Sequence, residues 1–367
     1  MKSVLIFRPG TLGDTLVALP ALWAVRKHFY DHSVVLLSDC HPRRGLVPAS
    51  EVLKGSGVCD EFLEYPVDLS WRGRVALPWR MGVLLARLRR RRFGALVYLA
   101  SAPRSRRQVA RDHLFFRSAG IGRFIGMDLQ NGLPPVPGPL APAPESDLLL
   151  QRLEFAGIEV PAFGEGSTEL GLGPVEEARV GAWLAKLPSD GGRQWISVGP
   201  GGKKPVNLWP IERYEAVVAS LIQRFDVWPV VFGGAADRET IERLIANWGR
   251  GHNAAGALNV RAAMAAMKRC LMHLGNDTGT MHMAASVRIP CVGIFASAQP
   301  LGWWHPYGAG HRILQRRIDC EGCLLEKCEG HAHECLLSTT TDHAMGACVE
   351  ILTRPDRLTP CRAVEAT

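Results

Sequence analysis

The 367-residue sequence contains no uninterrupted apolar segment long enough to cross a lipid bilayer, which takes about 20 residues as a helix. Its apolar start, residues 1–7, is broken by Arg8-Pro9-Gly10, and no small-residue cleavage site follows, as a secretory signal would require. A membrane-spanning protein and a secreted protein are therefore both disfavoured, and we expect a cytoplasmic location.

Acidic residues are almost absent from residues 87–123, where Asp112 stands alone against eleven arginines in a chain of formal net charge +8. The arginines are Arg87, Arg89, Arg90, Arg91, Arg92, Arg104, Arg106, Arg107, Arg111, Arg117 and Arg123. Such a one-sided run is either a solvated face or a surface attracted to anions, such as lipid phosphates at the inner face of the membrane or an acidic glycolipid. Aromatic residues do not alternate with these arginines as they do in single-strand binders, so nucleic acid is not an expected partner.

Repeats of a short fixed period are also missing. The composition, 47% hydrophobic and 21% charged, is that of a globular protein, and the chain is too long for one ordinary core. We expect two domains, residues 1–170 and 171–367, with the boundary in or shortly after the glycine-containing stretch 163–168.

Short apolar runs alternate with amphipathic segments, which predicts an α/β fold. Strands are expected at residues 3–8, 34–37, 95–99, 195–198, 226–232, 271–274 and 289–295. Helices are expected at residues 15–29, 79–91, 148–156, 175–187, 261–269 and 280–287, and an irregular Pro- and Gly-rich loop at 132–144.

One strand-to-helix junction near the end of the chain concentrates polar groups. Asp277 and Thr278 are good N-cap residues, and Gly279 has no side chain to keep a ligand from the backbone. A helix beginning here presents unpaired N–H groups that suit a phosphate or diphosphate. His282 lies about one turn into this helix, near its N-terminus. A capped turn with a buried histidine is the structural alternative.

A similar junction lies near the start of the chain. The first predicted strand ends at Arg8, and Gly13-Asp14 follows at the loop-to-helix boundary. Open α/β sheets place their chemistry outside the carboxyl ends of their strands, so Asp14 is a candidate functional residue. Its structural alternative is a helix N-cap.

Asp237 follows a third predicted strand and the loop Gly233-Gly234. An acid just past a glycine turn often accepts hydrogen bonds from ribose hydroxyls, which makes Asp237 a candidate nucleotide contact. Capping the next helix is again the alternative.

Four of the ten cysteines are closely spaced within residues 320–335. They are Cys320, Cys323, Cys328 and Cys335, with His331 and His333 between the last two. In a reducing compartment this spacing favours a metal site over disulfides. Four thiolates would suit a structural zinc, or less readily iron. The alternative is a set of reduced thiols in a short subdomain.

Two stretches resemble the signatures of one family. GNDTGTMHMAASVRIPCVGIF at 275–295 resembles the D-T-G-x-x-H-x-A-A signature of the heptosyltransferases, glycosyltransferase family 9, which transfer heptose from ADP-heptose in lipopolysaccharide assembly. IFRPGTLGDTL at 6–16 resembles the R-x-G-x-x-G-D loop of the same family. The two matches stand in the expected order at opposite ends of the chain.

The resemblance implies a GT-B fold, in which two Rossmann-like domains face a central cleft with the acceptor on the first and the donor on the second. It implies inverting glycosyl transfer from ADP-heptose or a related nucleotide-diphosphate sugar to a saccharide hydroxyl. No divalent cation is needed if the helix N-terminus and nearby lysines neutralise the diphosphate. Asp14 would be the general base. The acceptor-side loop would comprise Arg8, Gly10, Thr11 and Gly13.

In the second domain, the resemblance implies that backbone N–H groups of Thr278, Gly279 and Thr280 stabilise the leaving diphosphate. Asp277 and His282 would hold sugar hydroxyls.

The sequence departs from the family at two places. The family has a diphosphate-binding lysine two residues before the Trp-Pro pair, where this chain has Asn207; Lys203 and Lys204 on the same loop are the candidate replacements. Residues 295–298 also lack the glycine expected after that strand. Two alternatives therefore stay open: a nucleotide-sugar epimerase of the same architecture, and a binding or assembly protein without turnover.

Overall fold

The computed structural model describes residues 2–40, 46–66, 71–133, 143–330 and 332–354. The chain divides into two compact units, Met1–Gly171 and Leu172–Thr367. Each unit is built on one parallel sheet. Within the described ranges, no helix combines the length and the apolar character needed to span a bilayer.

The first unit contains a five-stranded sheet and six helices within its described residues. In chain order its elements are β1 (Ser3–Phe7), α1 (Leu12–Val17), α2 (Leu19–His28), β2 (Ser33–Cys40), α3 (Ala49–Leu53), β3 (Glu61–Pro66), α4 (Trp71–Arg91), β4 (Ala95–Tyr98), α5 (Arg106–Ser118), β5 (Phe124–Ile125) and α6 (Glu145–Phe155). The strand order is β3-β2-β1-β4-β5. The chain therefore reverses direction across the sheet between β1 and β4, the point where such sheets form a binding crevice.

The second unit repeats this plan with six strands. Its elements are α7 (Pro174–Leu184), β6 (Trp195–Gly199), α8 (Ile211–Phe225), β7 (Trp228–Val231), α9 (Arg238–Trp248), β8 (His252–Asn253), α10 (Val260–Met267), β9 (Cys270–Asn276), α11 (Gly279–Ser286), β10 (Cys291–Phe295), β11 (Arg312–Gln315), α12 (Glu334–Leu337) and α13 (Thr341–Leu352). The order β11-β10-β9-β6-β7-β8 places the crossover point between β6 and β9. The loops after these two strands are the ones that carry the sequence motifs.

The central strands are buried on both faces, which explains why they read as continuous apolar runs. Val4, Leu5 and Ile6 of β1 are fully buried. Phe7 at the end of this strand packs edge-on against Phe116 of α5, with ring centroids 5.1 Å apart. Apolar packing thus fixes the carboxyl end of β1, and the loop that carries the first motif follows directly.

Two predicted helices differ from the observed ones, and most of one predicted loop lies outside the described residues. The helix predicted at 15–29 is two helices that meet at Ala18, and the first begins at Leu12 because Thr11 and Asp14 form a capping box. The helix predicted at 79–91 begins earlier, at Trp71. Of the loop predicted at 132–144, residues 134–142 lie outside the described residues.

Candidate active site

Asp14 lies in the first turn of α1, just after the loop that leaves β1. Its Oδ2 accepts a hydrogen bond from the Thr11 backbone N–H at 2.9 Å, and its side chain is 25% exposed. The Ser101 hydroxyl, on the loop after β4, lies 3.4 Å from Oδ1. Gly10 has a φ of 131°, and a Cβ there would lie 2.4 Å from the Asp14 Cβ. Asp14 is therefore the N3 residue of a capping box whose N-cap is Thr11, not the N-cap itself, and it still has exposed surface at the crossover point of the sheet.

Arg8 forms hydrogen bonds that fix the turn containing Asp14. Its Nε donates to the Asp14 carbonyl oxygen at 3.0 Å and its Nη1 to the Leu99 carbonyl oxygen at 2.8 Å. Nη1 also donates to Oε1 of Glu145, the first residue of α6, at 3.1 Å, and Nη2 lies 3.9 Å from Asp14 Oδ1. Arg8 and Glu145 are both buried. Sequence reasoning found Arg8 but missed Glu145, because nothing local marks a partner 137 residues away.

Asp39, near the end of β2, is a second acid that sequence reasoning missed. Its Oδ2 accepts from the Gly10 backbone N–H at 3.0 Å. The pKa of Asp39 is raised to about 6, chiefly by burial and also by the neighbouring Asp14 charge, against the lowering effect of the Gly10 hydrogen bond. Of the other acceptor-side residues, Thr11 is the N-cap of α1 and Gly13 lies in its first turn. The loop therefore brings together all five residues predicted for the first domain.

The N-terminus of α11 forms the corresponding feature of the second unit. Thr278, one of the two predicted N-cap residues, is its N-cap, and Gly279 is its first residue, one position before the predicted start. The Thr278 side chain makes no capping hydrogen bond to the helix; its Oγ1 lies 3.0 Å from Thr280 Oγ1 instead. The first N–H groups of a helix have no intrahelical partner, so this end is a ready anion site.

The glycine loop after β6 packs tightly against this helix end. A Cβ on Gly202 would lie 2.8 Å from the Thr278 methyl group, and one on Gly201 would lie 2.7 Å from the Asp237 carboxylate. Both positions therefore need glycine. Asp237 is the N-cap residue of α9, but its side chain makes no capping hydrogen bond to that helix and accepts one from the Gly234 backbone N–H at 2.8 Å instead. Three loops thus meet at the crossover point of the second sheet.

Asn207, at the position of the family lysine, is buried and holds Asp277. Its Nδ2 donates to the Asp277 carbonyl oxygen at 3.0 Å and to Oδ2 at 3.3 Å. Burial raises the pKa of Asp277 to about 7, while the charge of Lys204 and the Asn207 hydrogen bond lower it. Lys203 and Lys204 are exposed on the glycine loop, and partial burial lowers the pKa of Lys203. Lys204 is thus placed to act electrostatically on the acid of the motif.

Two histidines lie near the helix end. His282 is 5% exposed and its ring centroid lies 6.3 Å from that of Trp304. His273 of β9, which sequence reasoning missed, is fully buried, and its Nδ1 lies 2.8 Å from the Ser197 hydroxyl. Burial lowers the pKa of His273 to about 3, so this imidazole is neutral at physiological pH.

The predicted zinc or iron site at Cys320, Cys323, Cys328 and Cys335 has no support. Burial raises the pKa of the Cys335 thiol, a hydrogen bond with the Ser297 backbone lowers it, and the other three thiols raise it further, so the cysteines are neighbours. In the part of the chain that the structure describes, however, no three His, Cys, Asp or Glu side chains are grouped as metal ligands. Cys335 is buried in the apolar core whereas Cys323 is exposed; His331 lies outside the described residues.

Comparison with known proteins gives a family match within the second unit. Residues 175–333 match the family model of glycosyltransferase family 9 (heptosyltransferase). Lipooligosaccharide heptosyltransferase 2 of Haemophilus influenzae is 28% identical over 193 residues, which cover 49% of this chain and 55% of that protein. The matched part thus spans about half the length of this curated relative.

Solved structures match over nearly the whole chain. A family 9 glycosyl transferase from Veillonella parvula has a TM-score of 0.74 at 18% identity, with 96% of this chain and 97% of that chain covered. The E. coli ADP-heptose LPS heptosyltransferase II has a TM-score of 0.66 at 20% identity, with 96% and 98% covered. The E. coli heptosyltransferase WaaC with ADP-2-deoxy-2-fluoro heptose has a TM-score of 0.63 at 14% identity, with 95% and 99% covered. The likeness to these solved structures shows a GT-B-like α/β fold, and residues 175–333 are similar to glycosyltransferase family 9.

Proposed function

We propose that the protein is an inverting heptosyltransferase, which moves heptose from ADP-heptose to a saccharide hydroxyl of lipopolysaccharide or a related glycan. The observation that carries the proposal is the N-terminus of α11 beside a glycine loop, at the crossover point of a sheet in the family 9 region. Named relatives are heptosyltransferases, and one of them was solved with an ADP-sugar analogue. The donor assignment to this chain rests on that likeness.

The donor diphosphate would lie at the start of α11. Backbone N–H groups of Thr278, Gly279 and Thr280 would donate to its oxygens, and the two exposed lysines of the glycine loop, Lys203 and Lys204, would add positive charge. Such preorganised donors stabilise the charge that gathers on the leaving diphosphate. In this proposal the helix end and the lysines neutralise that charge, and no catalytic metal takes part.

The sugar and the nucleoside would use the acids and histidine around the same helix end. Asp277 and His282 would hold sugar hydroxyls, and Asp237 would accept from the ribose. Asn207, which holds the backbone and side chain of Asp277, would set the position of that acid. The family lysine supplies a positive charge at this position, whereas Asn207 would position Asp277.

Asp14 would be the general base. The acceptor oxygen attacks the anomeric carbon as the bond from that carbon to the diphosphate oxygen breaks, and the hydroxyl proton passes to Asp14. One displacement of this kind inverts the anomeric configuration, and ADP leaves with the bonding electrons. Arg8, bonded to the Asp14 carbonyl oxygen, would hold the base in place.

The acceptor side of the first unit is strongly basic. Arginines of α4 and α5, within residues 87–123, would attract an anionic glycolipid or oligosaccharide presented at the cytoplasmic face of a membrane.

The rival function is a GT-B binding protein without turnover, favoured by the Asn207–Asp277 hydrogen bond at the position of the family lysine. A transfer assay separates the two. Purified protein, ADP-heptose and a heptose-deficient lipopolysaccharide are mixed with a chelator, ADP release is measured, and the product anomer is assigned by NMR. We expect acceptor-dependent ADP release with inversion.

The variant that tests the base is Asp14→Asn, with Asp31→Asn, an exposed acid of the same unit, as the control. We expect Asp14→Asn to slow transfer by about 10²- to 10⁴-fold while ADP still binds, and Asp31→Asn to transfer normally. Undiminished transfer by Asp14→Asn would overturn the mechanism. Absence of transfer by the wild type, with ADP bound, would favour the binding protein.

A further inference from the structure

The outer face of α4 carries an exposed apolar stripe. Val75, Trp79 and Val83 follow one another at intervals of four residues, so they lie on one side of the helix, and they are 76%, 73% and 50% exposed. Leu84 and Leu88, on the opposite side, are buried in the core of the first unit. The buried side already anchors the helix, so the stripe is not needed for folding.

Near the C-terminal end of α4, arginines lie on the same face as the apolar stripe. An open groove at this end is lined by Val83, Ala86, Arg87, Arg90 and Arg91. Arg91 is paired with Glu61. In the described part of the chain, Arg87 and Arg90 form no hydrogen bond or ion pair, and α4 contains no acidic residue. The face therefore combines exposed apolar groups with unpaired positive charge.

We propose that this face of α4 lies flat on an anionic lipid surface, with Val75, Trp79 and Val83 in the boundary between headgroups and acyl chains and Arg87 and Arg90 on the lipid phosphates. A helix of this length spans about 30 Å, enough for one end to insert apolar groups while the other meets phosphates. Trp and Arg are the side chains that suit such an interface.

Charge argues for lipid over a second copy of the chain. A twofold contact through this face, with the helices parallel, would bring Arg87 and Arg90 against the same arginines of the other copy. With the helices antiparallel, the arginines of each copy would lie against the apolar stripe of the other copy. The contact would then offer these arginines no acidic partner. An anionic lipid surface offers phosphates to the arginines and an apolar boundary to the exposed stripe. The contact does not depend on the proposed transferase activity.

The test is flotation of the full-length protein with vesicles. We expect binding to vesicles of phosphatidylcholine with phosphatidylglycerol, weak binding to phosphatidylcholine alone, and loss of binding as salt is raised. Arg87→Gln and Arg90→Gln should each weaken the partition coefficient about fivefold. Trp79→Ala should weaken it about tenfold. All three side chains are exposed, so the variants should fold normally.

Matched controls lie on other exposed surfaces. Phe155→Ala removes a ring that is 91% exposed on α6, and Arg238→Gln removes an exposed charge on α9; both variants should float like the wild type. Asp14→Asn should also float normally, which separates this inference from the proposed function. Equal flotation of Trp79→Ala and Phe155→Ala would overturn it. So would a concentration-dependent dimer, seen by light scattering, that Trp79→Ala abolishes.

Discussion

Breaking the buried ion pair between Arg8 and Glu145 should destabilise the first unit far more than breaking an exposed pair does. The change is Glu145→Gln, which removes the charge and keeps the shape. The side chains of Arg8 and Glu145 are 1% and 0% exposed, and Nη1 lies 3.1 Å from Oε1. The substitution leaves the Arg8 guanidinium buried without a compensating charge at that contact.

The magnitude follows from burial. Breaking one side of a buried pair costs about 3–5 kcal/mol. Arg8 keeps its hydrogen bonds to the carbonyl oxygens of Leu99 and Asp14, so the lower end, about 3 kcal/mol, is expected. The free energy of unfolding of a typical domain is about 5–15 kcal/mol, so this loss is a large part of it.

The assay is urea unfolding followed by circular dichroism, with Glu159→Gln as the matched control. Glu159 pairs with Lys27 in the same unit at 2.8 Å, but these side chains are 81% and 71% exposed. Glu159→Gln should leave the midpoint unchanged, because exposed pairs contribute little. Equal midpoints for Glu145→Gln and Glu159→Gln would refute the reasoning from burial.

Two further predictions concern the second unit. Gly201→Ala should weaken ADP binding about tenfold in calorimetry, because its Cβ would lie 2.7 Å from the Asp237 carboxylate. Gly181→Ala, whose Cβ would meet nothing within 4 Å, should bind as the wild type does, and equal affinities for the two variants would contradict the steric argument. Burial raises the folded pKa of Asp277 to about 7 from 3.8, so the folded state holds the proton more tightly and stability falls as pH rises from pH 4 to pH 7 (roughly). Asp277→Asn, which keeps a partner for Asn207 but does not titrate, should reduce this fall by about 2.6 kcal/mol between pH 5 and pH 8 in urea unfolding, and an unchanged fall would show that another group causes it.

Local patterns predicted the parts of the site that depend on neighbours in sequence. The start of α11 at Thr278 follows from capping chemistry and a following run of small apolar residues, and both lie within a few residues. The position of Asp14 after β1 follows from the same kind of signal. What lay beyond prediction were contacts between distant segments, since the periodicity of one segment carries no information about its partner.

Glu145 and Asn207 are the clearest cases of such distant contacts. Glu145 reaches Arg8 across 137 residues, and Asn207 reaches Asp277 across 70. The outer face of α4 is a related case. Its helical period was visible, but which side faces the core depends on packing against other elements, and only the structure showed that Trp79 is exposed.

The most direct test of the central claim is calorimetric titration of the purified protein with ADP, UDP and GDP in the presence of a chelator. The proposed donor site predicts that ADP binds without metal and more tightly than UDP or GDP. Preference for UDP or GDP would contradict the ADP-heptose assignment. Failure of all three to bind would contradict the placement of the diphosphate at the start of α11.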